Sequence, residues 1–158
     1  MPHLSKPTPK LSSLFDLSNK TALVTGGAHG LGYEIAEGLA EAGASVLVLS
    51  RNEERLDSAV AQLSAIHSRC AGFVGDVAVE QSIQAAVQHA VDRFGTLDIL
   101  INNAGIIWQG AAESMPAEAW NDVIQTNLTG TFFASQAAAR VMIPQRSGIV
   151  INIASIAA

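Results

Sequence analysis

Residues 25–32 read Thr25-Gly26-Gly27-Ala28-His29-Gly30-Leu31-Gly32. An apolar run, KTALVT at 20–25, leads into this stretch, and helical spacing from Leu31 to Ala42 leads out of it to Gly43. Strand, glycine turn and helix in that order form a local anion trap. The glycines permit a tight turn and let backbone N–H groups approach a charged group, and the helix start adds its positive dipole end. A glycine-rich turn with no ligand has the same letters, but its position between a strand and a helix favours the anion-binding reading.

Outward from this turn the same alternation repeats. Ser45 to Ser50 (SVLVLS) is a second strand, and Asn52 is placed to cap a helix whose apolar face is Leu56, Ala59, Val60, Leu63 and Ile66. Ala71 to Val74 is a short third strand. Ile83, Ala86, Val87, Ala90, Val91 and Phe94 then form a helical stripe that Gly95 stops. Asp98 to Ile101 (DILI) is a fourth strand. The pattern next predicts a short helix around Pro116 to Gln125 and a separate long helix from about Leu128 to Ile143, ending near Pro144. Gly148 to Ile153 (GIVINI) is a fifth strand, apolar enough to be covered on both faces. Strands alternating with helices imply a parallel sheet with crossovers.

Composition narrows the function classes. Hydrophobic residues make up 49% and charged residues 15%, so the chain is globular rather than disordered. The 14 acidic against 9 basic side chains give a net charge of −5 and no basic stripe, which excludes nucleic acid as an expected partner. No apolar run approaches the ~20 residues that span a bilayer. Met1 to Ser13 lacks a signal-peptide core and reads as a lead-in, leaving 14–158 as one domain, and the single Cys70 fits a reducing, cytoplasmic setting. Cys70 itself reads as an ordinary small buried side chain. His3, His67 and His89 have no partner constellation, so no metal site is expected.

The glycine spacing G-x3-G-x-G, preceded by Thr25, resembles the phosphate loop of the short-chain dehydrogenase/reductase family. The resemblance recurs in order along residues 14–158. Asp76, in Gly75-Asp76-Val77, matches the residue that holds the adenine amino group. Asn102-Asn103-Ala104-Gly105 matches the tetrapeptide closing the fourth strand beneath the cofactor. Asn127 and Ser155 match the catalytic asparagine and serine. Taken singly, Asp76 reads as a loop acid, Asn127 as a helix cap and Ser155 as a polar turn residue; five matches in order favour the family. The resemblance implies a Rossmann-type, doubly wound parallel α/β sheet, here truncated after the fifth strand. It also implies hydride transfer between a nicotinamide and a secondary alcohol or ketone. The cofactor-binding residues carried over are Thr25, Gly26, His29, Gly30, Leu31, Gly32, Ser50, Arg51, Asp76, Val77, Asn103, Ala104 and Gly105.

An acidic residue about 20 positions past the glycine loop would bind a ribose 2′-hydroxyl and favour NAD. Ser50 and Arg51 stand there instead, so NADP is favoured over NAD, with Arg51 positioned to pair with a 2′-phosphate. His29 occupies a place where NADP-preferring relatives often carry a second arginine. The stretches Leu14-Phe15-Asp16-Leu17 and Ala119 to Ile124 resemble the gluconate 5-dehydrogenase branch, which implies a polyol or sugar acid. The 3-oxoacyl-carrier-protein reductases are the nearest competing branch. Trp108 is a candidate substrate contact or a packing residue under its loop, and Trp120 a helix packing residue.

In the family a Tyr-x3-Lys motif follows the serine by roughly a dozen residues, its tyrosine exchanging the proton and its lysine lowering the tyrosine pKa. The only tyrosine here is Tyr33, with Glu37 four residues on. The expectation is therefore a piece of a longer reductase, short by about a hundred residues and inactive alone. The family's homo-oligomers are in doubt for it, and the Ile149-Val150-Ile151 strand is expected to be a bare sheet edge. Two other readings stand beside this one: a nucleotide-binding module without catalysis, and the sugar-nucleotide epimerase branch, disfavoured by its different glycine spacing.

Overall fold

The structure, a computed structural model, describes residues 14–155. Five strands form one sheet in the order β3-β2-β1-β4-β5, every pair parallel. They are β1 (Thr21–Thr25), β2 (Ser45–Ser50), β3 (Cys70–Val74), β4 (Ile99–Asn102) and β5 (Ile149–Asn152). The helices are α1 (Gly30–Glu41), α2 (Glu53–Ile66), α3 (Glu80–Phe94), α4 (Ala117–Ile124) and α5 (Gly130–Gln145). This is the doubly wound α/β sheet the alternation predicts, and the segment at 1–13 lies outside the described residues.

Side-chain alternation along the strands divides the core. Leu23, Leu47 and Leu100 point to one face and pack with Ile83, Ala86, Ala90, Ala134 and Ala138 of α3 and α5. Ala22, Val24, Val46, Val48, Ile99 and Ile101 point to the other and pack with Ala36, Ala40, Leu56 and Leu63 of α1 and α2. Small residues dominate the helix faces and large ones the strands, so helices approach the sheet closely. Each fully buried Leu, Ile or Val contributes about 1.5–3 kcal/mol relative to exposure.

Local signals behave as read. Asn52 Oδ1 accepts from Arg55 N at 2.8 Å and caps α2. Gly95 takes a left-handed φ of 93° and ends α3, its N–H donating to Val91 O at 2.7 Å.

One expectation needs correction. The short and long helices predicted around residues 116–143 are one continuous rod: α4 runs through a π-turn, Gln125–Thr129, into α5 with helical dihedrals throughout. The rod ends near Pro144 as read, its last helical residue being Gln145, and the chain leaves it at Arg146, φ 53°. Asn127 is accordingly not a helix cap. The π-turn takes up one extra residue per turn, which breaks the 3.6-residue stripe and makes one helix look like two. β5 is exposed along its length, the bare edge expected of Ile149-Val150-Ile151 despite its apolar sequence, because it pairs only with β4 among the described residues.

Candidate functional site

The carboxyl ends of β1 to β4 open onto one cleft of about 350 Å³. A parallel sheet places loops and helix starts at that edge, where ligands of such folds sit. The floor is the glycine turn. Gly26 holds a φ of 64° and Gly30 one of 56°, both in the region that disfavours side chains. A Cβ on Gly30 would meet nothing within 4 Å, so that side of the turn faces open space. A Cβ on Gly32 would run into the Gly26 carbonyl and the Asn103 amide, so the first turn of α1 requires glycine there. His29 precedes α1 in an extended conformation, and its side chain makes no capping bond. His29 and Leu31 are exposed and line the cleft with the glycines.

Thr25 lies beneath this floor rather than in it, only 1% exposed. Its Oγ1 donates to Ile101 O at 3.3 Å and accepts from Asn103 N at 3.0 Å and Ala104 N at 3.1 Å. Asn103 Nδ2 returns the tie, donating to the carbonyls of Thr25 at 3.1 Å and Gly26 at 3.3 Å. One hydroxyl and one amide thus fasten the end of β4 to the glycine turn. Asn103, Ala104 and Gly105 line the cleft, and Gly26 packs close enough to Ala104 that a Cβ would reach its Cα at 3.0 Å.

At the other end of the cleft stand Ser50, Arg51, Asp76 and Val77. Ser50 Oγ is turned to the backbone, accepting from Asn52 N at 3.2 Å. Asp76 Oδ1 accepts from Ala78 N at 2.9 Å, while Ser82 Oγ accepts from Asp76 N at 2.9 Å. Its other oxygen, Oδ2, lies 3.7 Å from Arg51 Nη1. One carboxylate oxygen is therefore committed to the loop, and the second faces the cleft with a guanidinium beside it. Val77 is buried and joins the core below.

Asn127 and Ser155 do not line this cleft. Asn127 sits in the π-turn and clamps the loop after β4, its Oδ1 accepting from Ile106 N and its Nδ2 donating to Ile106 O, both at 2.9 Å. Its carbonyl accepts from Thr131 Oγ1 at 2.8 Å, and Ser135 Oγ donates to Thr131 O at 2.7 Å. Asn102 Nδ2 donates to Ser135 Oγ at 3.1 Å and to Asn152 Oδ1 at 2.8 Å. A continuous polar chain thus links Asn127 to β4 and to β5, the strand that carries Ser155 three residues beyond its end. The sequence reading missed Ser135 and Asn152, since a serine and an asparagine on unrelated elements leave no local signal.

Cleft residues also missed include Arg55, Ile106 and Thr126. Arg55 had a readable signal, lying four positions after Arg51 at the start of the capped helix. Trp108 does not line the cleft; its ring lies over Gly110. Tyr33 donates to Glu37 Oε1 at 3.3 Å. Partial burial, followed by the charges of Glu37 and Glu34, pushes its pKa above the ordinary phenol value, the wrong direction for proton exchange near neutrality. Burial also raises the Cys70 thiol pKa, as suits a core residue. Among the described residues no cluster of metal ligands occurs and no helix is long and apolar enough to cross a membrane.

Comparison with known proteins agrees with this architecture. Residues 20–158 match the family described as short chain dehydrogenase. The chain is 41% identical over 143 residues to gluconate 5-dehydrogenase of Gluconobacter oxydans, covering 90% of this chain and 56% of that protein. It is 40% identical to 3-oxoacyl-(acyl-carrier-protein) reductase of Chlamydia trachomatis, covering 89% of this chain and 57% of that one. An actinorhodin polyketide ketoreductase variant with NADPH superposes with a TM-score of 0.83 at 38% identity, over 86% of this chain and 53% of the other. The chain spans little more than half the length of the relatives it matches.

Proposed function

The chain belongs to the short-chain dehydrogenase/reductase family of NAD(P)-binding oxidoreductases, and from this premise we propose that it binds NADP in the cleft for hydride exchange with a secondary alcohol or ketone. One observation carries the cofactor choice: the end of β2 presents Ser50 and Arg51 to the cleft and no carboxylate. A carboxylate there would accept from a ribose 2′-hydroxyl and repel a phosphate; a guanidinium does the reverse. The glycine turn suits the pyrophosphate, with Gly26, Gly30 and Gly32 giving close backbone approach and His29 and Leu31 flanking it. Asp76 Oδ2 is the acceptor for the adenine amino group, and Val77 lies below that ring. Asn103, Ala104 and Gly105 continue the strip toward the nicotinamide ribose. When bound, the dinucleotide supplies the hydride.

Asn127 and Ser155 are assigned to the substrate side. Asn127 fixes the loop carrying Ile106 and leaves the π-turn backbone beside the cleft, where Thr126 lines it. Ser155 is the hydrogen-bond donor to the substrate oxygen. The family's proton-exchanging tyrosine has no counterpart in these 158 residues, since Tyr33 lies in α1. Binding is therefore assigned to residues 14–158 as one dinucleotide domain, and turnover to a polypeptide that also carries Tyr-x3-Lys. A sugar acid or polyol is the favoured substrate, supported by the likeness to gluconate 5-dehydrogenase; the 40% identity to a 3-oxoacyl reductase supports the second reading.

Fluorescence titration of the 158-residue chain with NADPH and NADH tests the cofactor. NADPH is expected to bind at least about tenfold tighter. Tighter NADH binding, or none by either, overturns the assignment. Keto-sugar acids against 3-oxoacyl thioesters, assayed on the polypeptide extended through Tyr-x3-Lys, decide the substrate class.

A further inference from the structure

We propose that Arg55 is the second cation of the 2′-phosphate site, closing on the phosphate from α2 while Arg51 closes from the strand end; this rests on the NADP reading above. The adenosine end of the cleft has three charged side chains, Arg51, Arg55 and Asp76. Arg51 already faces a carboxylate, Asp76, at 3.7 Å. Arg55 has neither a carboxylate within ion-pair distance nor a side-chain hydrogen bond among the described residues, although it is exposed and long enough to find either. Its backbone is fixed, because its N–H donates to the capping Asn52 Oδ1 at 2.8 Å. A guanidinium anchored at its root, unpaired at its tip and facing a ligand cleft is placed for an anion.

The charge count identifies which anion. A ribose hydroxyl would need only one acceptor and would leave both arginines without a role. A phosphate monoester carries close to two negative charges and three acceptor oxygens, enough to satisfy two guanidinium forks. It competes favourably for Arg51 against a single carboxylate at 3.7 Å, which is longer than a charge-assisted hydrogen bond. Asp76 Oδ2 is then released toward the adenine while Oδ1 stays on Ala78 N. The glycine turn offers only His29 on its side of the cleft, so the second cation comes from the other wall.

Titration with NADPH and NADH, and competition with 2′,5′-ADP and 5′-AMP, on the wild type, Arg55→Gln, Arg55→Lys and Arg51→Gln test this. Glutamine keeps helix propensity at this exposed site, and circular dichroism checks the fold. Arg55→Gln is expected to weaken NADPH and 2′,5′-ADP about tenfold and to leave NADH and 5′-AMP within about twofold. Arg55→Lys is expected to recover part of the loss. If Arg51→Gln weakens NADPH while Arg55→Gln does not, Arg51 acts alone and the inference falls. Equal loss for all four ligands assigns Arg55 a structural role and also overturns it. A wild type without NADPH preference instead overturns the NADP reading itself.

Discussion

The first and fifth strands are both apolar, and their environments are opposite. Every residue of β1 is buried, with Ala22, Leu23 and Val24 at 0% exposure. In β5, Ile149, Val150 and Ile151 are 60%, 40% and 44% exposed. β1 lies between β2 and β4 with helices on both faces, whereas β5 has one neighbour, β4, among the described residues. The ends differ in the same sense. Thr25 at the end of β1 engages three backbone groups of β4 and the loop after it, and Asn152 at the end of β5 accepts from Asn102. An apolar strand records what its environment tolerates; burial depends on what lies beside it. The cleft is built on the side of the sheet where the strands are locked.

Four substitutions would break or sharpen that contrast. The largest effect is expected at the locked side. Gly32→Ala drives a Cβ into the Gly26 carbonyl and the Asn103 amide, so both the turn and its tie to β4 must shift. Loss of NADPH binding by more than about a hundredfold is expected, read by fluorescence titration. Retained affinity would show that the turn is not the cofactor floor.

Next is a matched pair of core truncations. Leu100→Ala in β4 should cost about 2–5 kcal/mol in urea unfolding, since Leu100 is 0% exposed. Ile151→Ala, in register with Ile101 on the neighbouring strand, should cost less than about 1 kcal/mol. Equal losses would show that β5 is covered in solution. The smallest effect is expected for Val150→Lys, which should leave stability within about 0.5 kcal/mol and reduce self-association in light scattering. Unchanged association would mean that the edge is not a sticky surface.

Much of the fold was legible because its signals are local. Strand alternation, the cap at Asn52 and the left-handed stop at Gly95 each depend on a few adjacent residues. The rod of α4 and α5 was misread because a π-turn shifts the stripe by a residue and mimics a boundary. At the site, the glycine turn and Arg51 were legible for the same local reason. Ser135 and Asn152 were not, since their partners lie on other elements.

The sequence by itself determined the order of strands and helices, the glycine turn and the residue types offered to an anion, because periodicity and backbone sterics act within a few residues. Tertiary structure alone decided that Asn103 is tied to Thr25, that Arg51 turns to Asp76 and that Arg55 shares their cleft. Those facts depend on distances between segments far apart in the chain, which parallel pairing and packing across the sheet establish and no local pattern encodes.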